Sequence, residues 1–527
     1  MDKIGSLLAR KGRLPLRAIA AYTQLKLPRV REGLVVLIQH NLATWAEAPD
    51  GRGLVVFYEL SIRAVLYRLR LGDVLQVARD LFDQEGQSIV QHVLLWGNLT
   101  PTALQQDCLD WPKLSAKRRS TYMRALQGLI RRRYLTAVQH VDTMTADDRA
   151  MVLDAEAQQK LNVLPSAAEL ARVRRQRLER SEAEYQEGTL VGMKRKIADD
   201  GDDEALKVRV GSFDMVEEVD LTMAFRVNLE RFTLYLRNRR VVEFVHERTN
   251  RSGALVVQSL LGACEDKMRA THEELSPPVG LVQITQQLPK DQHIAQDIDL
   301  AAGNGGDSGY DLNNGSSATT QDLVRQFLDV LRADTAGIVF RDDLRGAGQF
   351  RVSFVRARQQ LFDRLLYAYL NNRFGTLSCR VLRILHDKGR LDDRQLAKLA
   401  LLPVKDLRRH VHELLAHRFV QLQEIPKTAE RTPSTCFYLF FASPAASTDA
   451  CLALHYQEIA NLYARITHER KARTRLIAKT QREDVRLDPS LLSSSDRKGL
   501  DRLEKIMDLL EVCILRLDRQ VLVIRDI

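Results

Sequence analysis

One order of local signals, met four times along the chain, restricts the fold more than any single motif. A short helical stretch is followed by a longer amphipathic helix and then by two β-prone stretches joined across a turn. Helix, helix and hairpin in that order is the winged-helix plan, in which the longer helix often enters a DNA groove. The second occurrence is the most basic. Trp111 to Val138 reads WPKLSAKRRSTYMRALQGLIRRRYLTAV and carries Lys113, Lys117, Arg118, Arg119, Arg124, Arg131, Arg132 and Arg133. No acidic residue offsets them between Pro112 and Arg133. Met123, Leu126, Leu129 and Ile130 recur at helical spacing, and Tyr134, Leu135, Thr136 and Val138 favour a strand immediately afterwards. Taken alone, such a stretch reads as a solvated helix face; repetition of the plan turns the reading toward nucleic acid.

The expected fold is mostly α with small β wings: four tandem winged-helix domains and a C-terminal antiparallel coiled-coil hairpin. Residues 1–70 form the first unit, with helices Leu16–Tyr22 and Pro28–His40, strands Leu42–Trp45 and Val55–Glu59, and Arg29 and Arg31 at the start of the longer helix. Residues 71–140 form the second, with its returning strand expected at 205–211. Between them, 141–204 reads as a charged, partly disordered insertion that includes the acidic run Asp199–Glu204. The third unit spans 222–355, opening at Phe225, with a Gly/Asn-rich flexible loop at 290–320. The fourth, 356–443, sets Lys405, Arg408 and Arg409 opposite the apolar Val404, Leu407, Val411 and Leu414. In 449–527, Tyr456, Ile459, Tyr463 and Ile466 step by three and four, as do Leu503, Ile506, Leu510, Cys513 and Leu517. These seams, Cys513 aside, are the candidate partner-binding residues.

Composition sets limits on function. A net charge of +11 over 527 residues permits contact with a polyanion, but 68 acidic against 79 basic residues describe a mixed surface, not a polybasic tail. The six cysteines form no CxxC pair, which argues against a disulfide framework or zinc ribbon and for a reducing compartment. Neither a GxxxxGK nor a GxGxxG loop is present, so the chain reads as noncatalytic, without cofactor, metal or membrane span. His410, His412 and His417 lack the i, i+4 spacing of a metal pair and read as phosphate contacts or surface residues. Lys194-Arg195-Lys196 is a short candidate for nuclear import.

Several segments resemble a known family. GRLPLRAIAAYTQLKLPRVREGLVVLIQHNLATW at Gly12–Trp45 is similar to the N-terminal repeat of the RNA polymerase III subunit that carries four winged helices. GQSIVQHVLLWGNLT at Gly86–Thr100, the stretch Phe225–Leu261 and FYLF at Phe437–Phe440 extend the resemblance over nearly the whole chain. It implies a noncatalytic nuclear subunit of the enzyme that makes transfer RNA, 5S ribosomal RNA and other small RNAs. Its implied partners are two smaller subunits of the same subcomplex, the clamp of the largest subunit, the TATA-binding initiation factor complex and promoter DNA. The competing readings are a stand-alone winged-helix regulator and a winged-helix protein-interaction scaffold. The chain departs from the family at its start, where the first helix is expected to be short or missing, and at its two insertions.

Overall fold

In the computed structural model the first element is a helix, α1 (Asp2–Lys11), so the expectation of a short or missing first helix is corrected. Ile4 and Leu8, one turn apart, are buried with Val30, Leu34 and Leu37 in the first core. Gly33 leaves the room this needs: a Cβ there would lie 2.7 Å from Ile4 Cδ1. Next come β1 (Leu14–Pro15), α2 (Leu16–Thr23), α3 (Leu27–Gln39), β2 (Ala43–Pro49) and β3 (Leu54–Leu60). β3 lies between the other two strands, with Tyr58 opposite both Leu14 and Trp45. The structure describes residues 1–49, 53–108, 114–145, 147–151, 171–172, 175, 192–197, 207–210, 213–268, 270–289, 320–342, 348–426, 436–488 and 491–527. They divide into two compact units, Met1–Phe232 and Thr233–Ile527.

The first unit continues through α4 (Ile62–Tyr67), α5 (Leu71–Trp96, broken at Phe82–Asp83), a helical turn α6 (Pro101–Ala103), α7 (Ala116–Arg131) and β4 (Leu135–Ala137). A small sheet follows in the order β5 (Met193–Ile197), β7 (Phe213–Val219), β6 (Lys207–Val210). The returning strand for β4 is β8 (Phe225–Val227), with Leu135 opposite Val227, and not the expected 205–211, whose strand β6 pairs with β7 instead. Leu99 bridges to Phe225 on the far side of β8. Phe225, expected to open the third unit, therefore lies in the sheet of β4. Lys194–Lys196 lie on β5, in register with Val216–Glu218 of β7; the acidic run at 199–204 lies outside the described residues.

In the second unit the same order appears twice more. It begins within α8 (Leu229–Arg248), then gives α9 (Arg251–Cys264), β9 (Val279–Gly280), α10 (Leu281–Gln286), α11 (Thr320–Ala333), β10 (Val339–Asp342) and β11 (Gln349–Val352). The expected loop at 290–320 lies outside the described residues but for Thr320. The sheet runs β10-β11-β9, again with the last strand in the middle. The long helix α12 (Phe354–Lys388) breaks at Gly375 and leads to Leu391, α13 (Asp393–Ala400), α14 (Val404–Ala416), β12 (Gln421–Pro426) and β13 (Cys436–Phe441). β13 pairs with β12 on one side and bridges Leu391 on the other.

Helices α3, α7 and α14 end alike. Asn41, Arg133 and Arg418, two residues past them, have φ of 56°, 61° and 65°. The next amide reaches back five residues in each: Leu42 to the carbonyl of Leu37, Tyr134 to Leu129 and Phe419 to Leu414, at 2.9–3.0 Å. This left-handed C-cap satisfies orphan carbonyls and turns an apolar residue into the core just before the strand.

The C-terminal region is helical: α15 (Pro444–Ala472), α16 (Thr474–Thr480), α17 (Glu483–Leu487) and α18 (Ser494–Val521). His455 Nε2 lies 2.6 Å from Gln520 Oε1 and Lys479 Nζ 2.9 Å from Asp496 Oδ2, so α15–α16 and α18 run antiparallel. Cys513, expected in the seam, is exposed; the neighbouring Ile514 is buried instead. Leu503, Leu510 and Leu517 keep the places expected of them, and Ile514, four residues after Leu510, takes the place expected of Cys513.

Candidate nucleic-acid interface

Helix α7 starts at Ser115, whose Oγ accepts from the Arg118 amide at 3.4 Å. Leu126, Leu129 and Ile130 are buried. Gly128 faces the Phe82 ring, which a Cβ would meet at 3.0 Å, so the helix seats closely on α5. Tyr134, just beyond, packs between Phe82 and Phe232 at centroid distances of 5.6 and 4.7 Å. With that side fixed, the basic residues are forced outward. Lys117, Arg118, Arg124, Arg131 and Arg132 are exposed, and none forms an ion pair with a described acidic residue. Lys117, Arg124 and Arg131 are seven apart, which keeps them within about 40° of one another around the helix and spreads them over roughly 21 Å. That is a rod of positive charge with a fixed orientation. Arg132 sits 5.6 Å from the Phe82 centroid, so its guanidinium is braced as well as exposed. Arg119 and Arg133 are half-buried, and the Arg133 carbonyl accepts from Asn228 Nδ2 at 3.1 Å. Lys113 lies outside the described residues.

The other cationic candidates are spread over different helices. Arg29 and Arg31 are exposed at the start of α3, about 200° apart around the helix, and the face of Arg31 also exposes Leu27 and Val35. On α14, Lys405 and Arg409 are exposed, whereas Arg408 is tied through Nε and Nη2 to Asp393 Oδ2 at 3.1 and 2.6 Å. Asp393 stands in the first turn of α13, so this arginine braces two helices. His410 shares a 2.9 Å hydrogen bond with Ser378 Oγ, and His417 packs on Phe374; packing, which the sequence expectation passed over, accounts for both.

The hairpin candidates are largely used within the chain. Ile459, Ile466 and Leu503 are buried, and Tyr456, Ile506, Leu510 and Leu517 are half-buried. The Tyr456 hydroxyl accepts from Arg525 at 2.9 Å. Tyr463 keeps 45% of its surface exposed. Reading these helices by their apolar seam missed the outward face of α18, where Lys498, Arg502, Lys505 and Arg516 are exposed. The signal was present in the sequence as basic residues at spacings of three and four.

Three protein-family models match the chain in order. They are described as the helix-turn-helix domain of RNA polymerase III subunit RPC82, over residues 1–48; RNA polymerase III subunit RPC82, over 124–361; and the POLR3C C-terminal winged-helix domain, over 366–442. Among curated proteins, the chain is 25% identical to DNA-directed RNA polymerase III subunit RPC3 of Danio rerio, over 96% of this chain and 88% of that protein. The Bos taurus subunit RPC3 is 24% identical over 100% and 95%, and that of Aspergillus niger 23% over 99% and 96%.

Proposed function

Because the chain belongs to the RPC3/RPC82 family of RNA polymerase III subunits, we propose that it is a noncatalytic subunit that helps the enzyme open promoters at transfer RNA, 5S ribosomal RNA and other small RNA genes. Four winged helices, followed by an antiparallel coiled-coil hairpin, present surfaces to DNA and to protein. The recurrent order of helix, strand, helix, helix, strand, strand, with the last strand central, supports this division. The subunit acts in the nucleus, in a subcomplex with two smaller subunits docked on the clamp, and works with the TATA-binding initiation factor complex.

The single observation that carries the DNA reading is the exposed stripe Lys117, Arg118, Arg124, Arg131 and Arg132 on the third helix of the second winged helix, with no ion-pair partner among the described residues. Guanidinium and ammonium groups on a rigid rod match phosphates, which position a protein without reading bases. Binding is therefore tolerant of sequence and sensitive to salt. Replacing Arg118, Arg124, Arg131 and Arg132 by Glu should abolish promoter crosslinking at this subunit while leaving the polymerase assembled. Every phosphate that the variant no longer neutralises should lower the log-log salt slope by roughly 0.9. Unchanged crosslinking and open-complex formation in that variant would sink the assignment.

A second reading is favoured for the first winged helix alone. Leu27 and Val35, at 43% and 61% exposure, share the outward face of α3 with Arg31. An apolar recognition face suits a protein neighbour better than a phosphate backbone. Leu27→Ser with Val35→Ser should weaken assembly of the subcomplex and spare DNA binding.

A further inference from the structure

Helix α18 uses one side for the seam with α15 and leaves the opposite side bare. On that side Lys498, Arg502, Lys505, Leu509, Val512 and Arg516 follow at intervals of four, three, four, three and four, and all six are exposed. At 100° per residue they fall within about 80° of arc and extend over roughly 27 Å. Leu509 is 67% and Val512 42% exposed, side by side one turn apart, with basic residues on either side of them along the axis. None of Lys498, Arg502, Lys505 and Arg516 forms an ion pair with a described residue. Asp501 and Asp508, one step round the helix, are exposed and likewise form no ion pair among the described residues.

From this face we infer that α18 docks an acidic amphipathic helix from a partner protein. The pattern of charge selects this occupant. A nucleic-acid backbone would pair with the cations but leave Leu509 and Val512 facing phosphates, with no apolar surface gained. A second copy in antiparallel order would set Lys498 and Arg502 against Arg516, like charge on like. An acidic helix with apolar residues three or four apart covers the two side chains and meets the cations at both ends. The inference is independent of the DNA-binding stripe, which lies on another unit.

The test uses the full chain in its native complex, with p-benzoylphenylalanine placed at Leu509 or Val512 and the photo-adduct mapped by mass spectrometry. The expected adduct is on a protein segment with acidic residues flanking apolar ones at helical spacing. Lys498→Glu, Arg502→Glu and Lys505→Glu together should lower its yield by about tenfold. Because these positions are exposed, circular dichroism and the melting temperature should not change. Adducts only on nucleic acid, only on a second copy of the chain, or on a segment without acidic residues overturn the inference, as does absence of any adduct. If polymerase subunits still co-purify in those cases, the family-based reading stands and only the docking surface falls. If an acidic segment is captured without them, the reverse holds.

Discussion

Arg237 shows how a residue ordinarily found at the surface is held inside. It is fully buried, its Nη1 donates to the Thr271 carbonyl at 2.9 Å, and its guanidinium lies 3.6 Å from the Phe354 centroid. Burial pulls its pKa down to about 10, so it remains charged at neutral pH. Truncation to Ala would strand the Thr271 carbonyl and leave a cavity, at about 3 kcal/mol; a denaturation series followed by a probe in the second unit would read this. Cysteine reactivity offers a sharper check. Burial pushes the Cys264 and Cys451 thiols up to about 12, whereas Cys513 is exposed. Iodoacetamide at pH 8 should alkylate Cys513 early and the other two only after unfolding. His386 supplies a pH dependence. Its ring lies 3.2 Å from both the Tyr367 hydroxyl and Ser447 Oγ, and burial holds its pKa below 6.5, against the opposing pull of Asp363 and Asp387. The unfolded chain binds that proton more readily, so the stability is present above pH 6.5 and declines as pH falls below it. His386→Gln should shrink the drop in melting temperature between pH 7.5 and 5.5.

Two long helices, α5 and α12, break part-way along, and the breaks differ in cost. Gly375 has φ 83° and ψ 171°, a region open almost only to glycine, although a Cβ there would meet nothing within 4 Å. Asp83 occupies nearly the same region, φ 60° and ψ −166°, with a side chain. Gly375→Ala should therefore destabilise by about 1–3 kcal/mol and Asp83→Gly should stabilise, each readable as a melting shift of opposite sign. Asp392 closes a capping box with Gln395, and its replacement by Ala should cost about 1 kcal/mol. These elements also mark what the sequence could disclose. Helices α3, α7 and α14 and their apolar faces were legible from period alone. The left-handed caps were partly legible: Asn41 is an expected residue there, while Arg133 and Arg418 are not, and tertiary packing of Tyr134 and Phe419 decides them. The basic stripe was legible as composition, but its orientation needed the Gly128–Phe82 contact.

At the scale of the whole chain, the order of units was readable where their loops are short and failed where an insertion intervenes. The strand expected at 205–211 exists as β6, but it serves another sheet, because alternation within a strand says nothing about its partner across a long gap. First-helix detection failed for a related reason: Ile4 and Leu8 are too few to define a period without the core they fill. The misplaced return strand has a consequence in time. β4 ends at Ala137 and its partner β8 begins at Phe225, so a ribosome working at about 5–20 residues per second needs roughly 5–20 s to deliver the second edge after the first. During that interval Leu135 and Ala137 belong to an unpaired strand on a nascent chain whose first winged helix is already complete. Chains stalled at successive lengths should become protease-resistant in two steps, the first once β3 has left the exit tunnel and the second only after β8 has. Synthesis of this protein thus includes a waiting period in which the basic helix α7 is already made while the strand that follows it still lacks its partner.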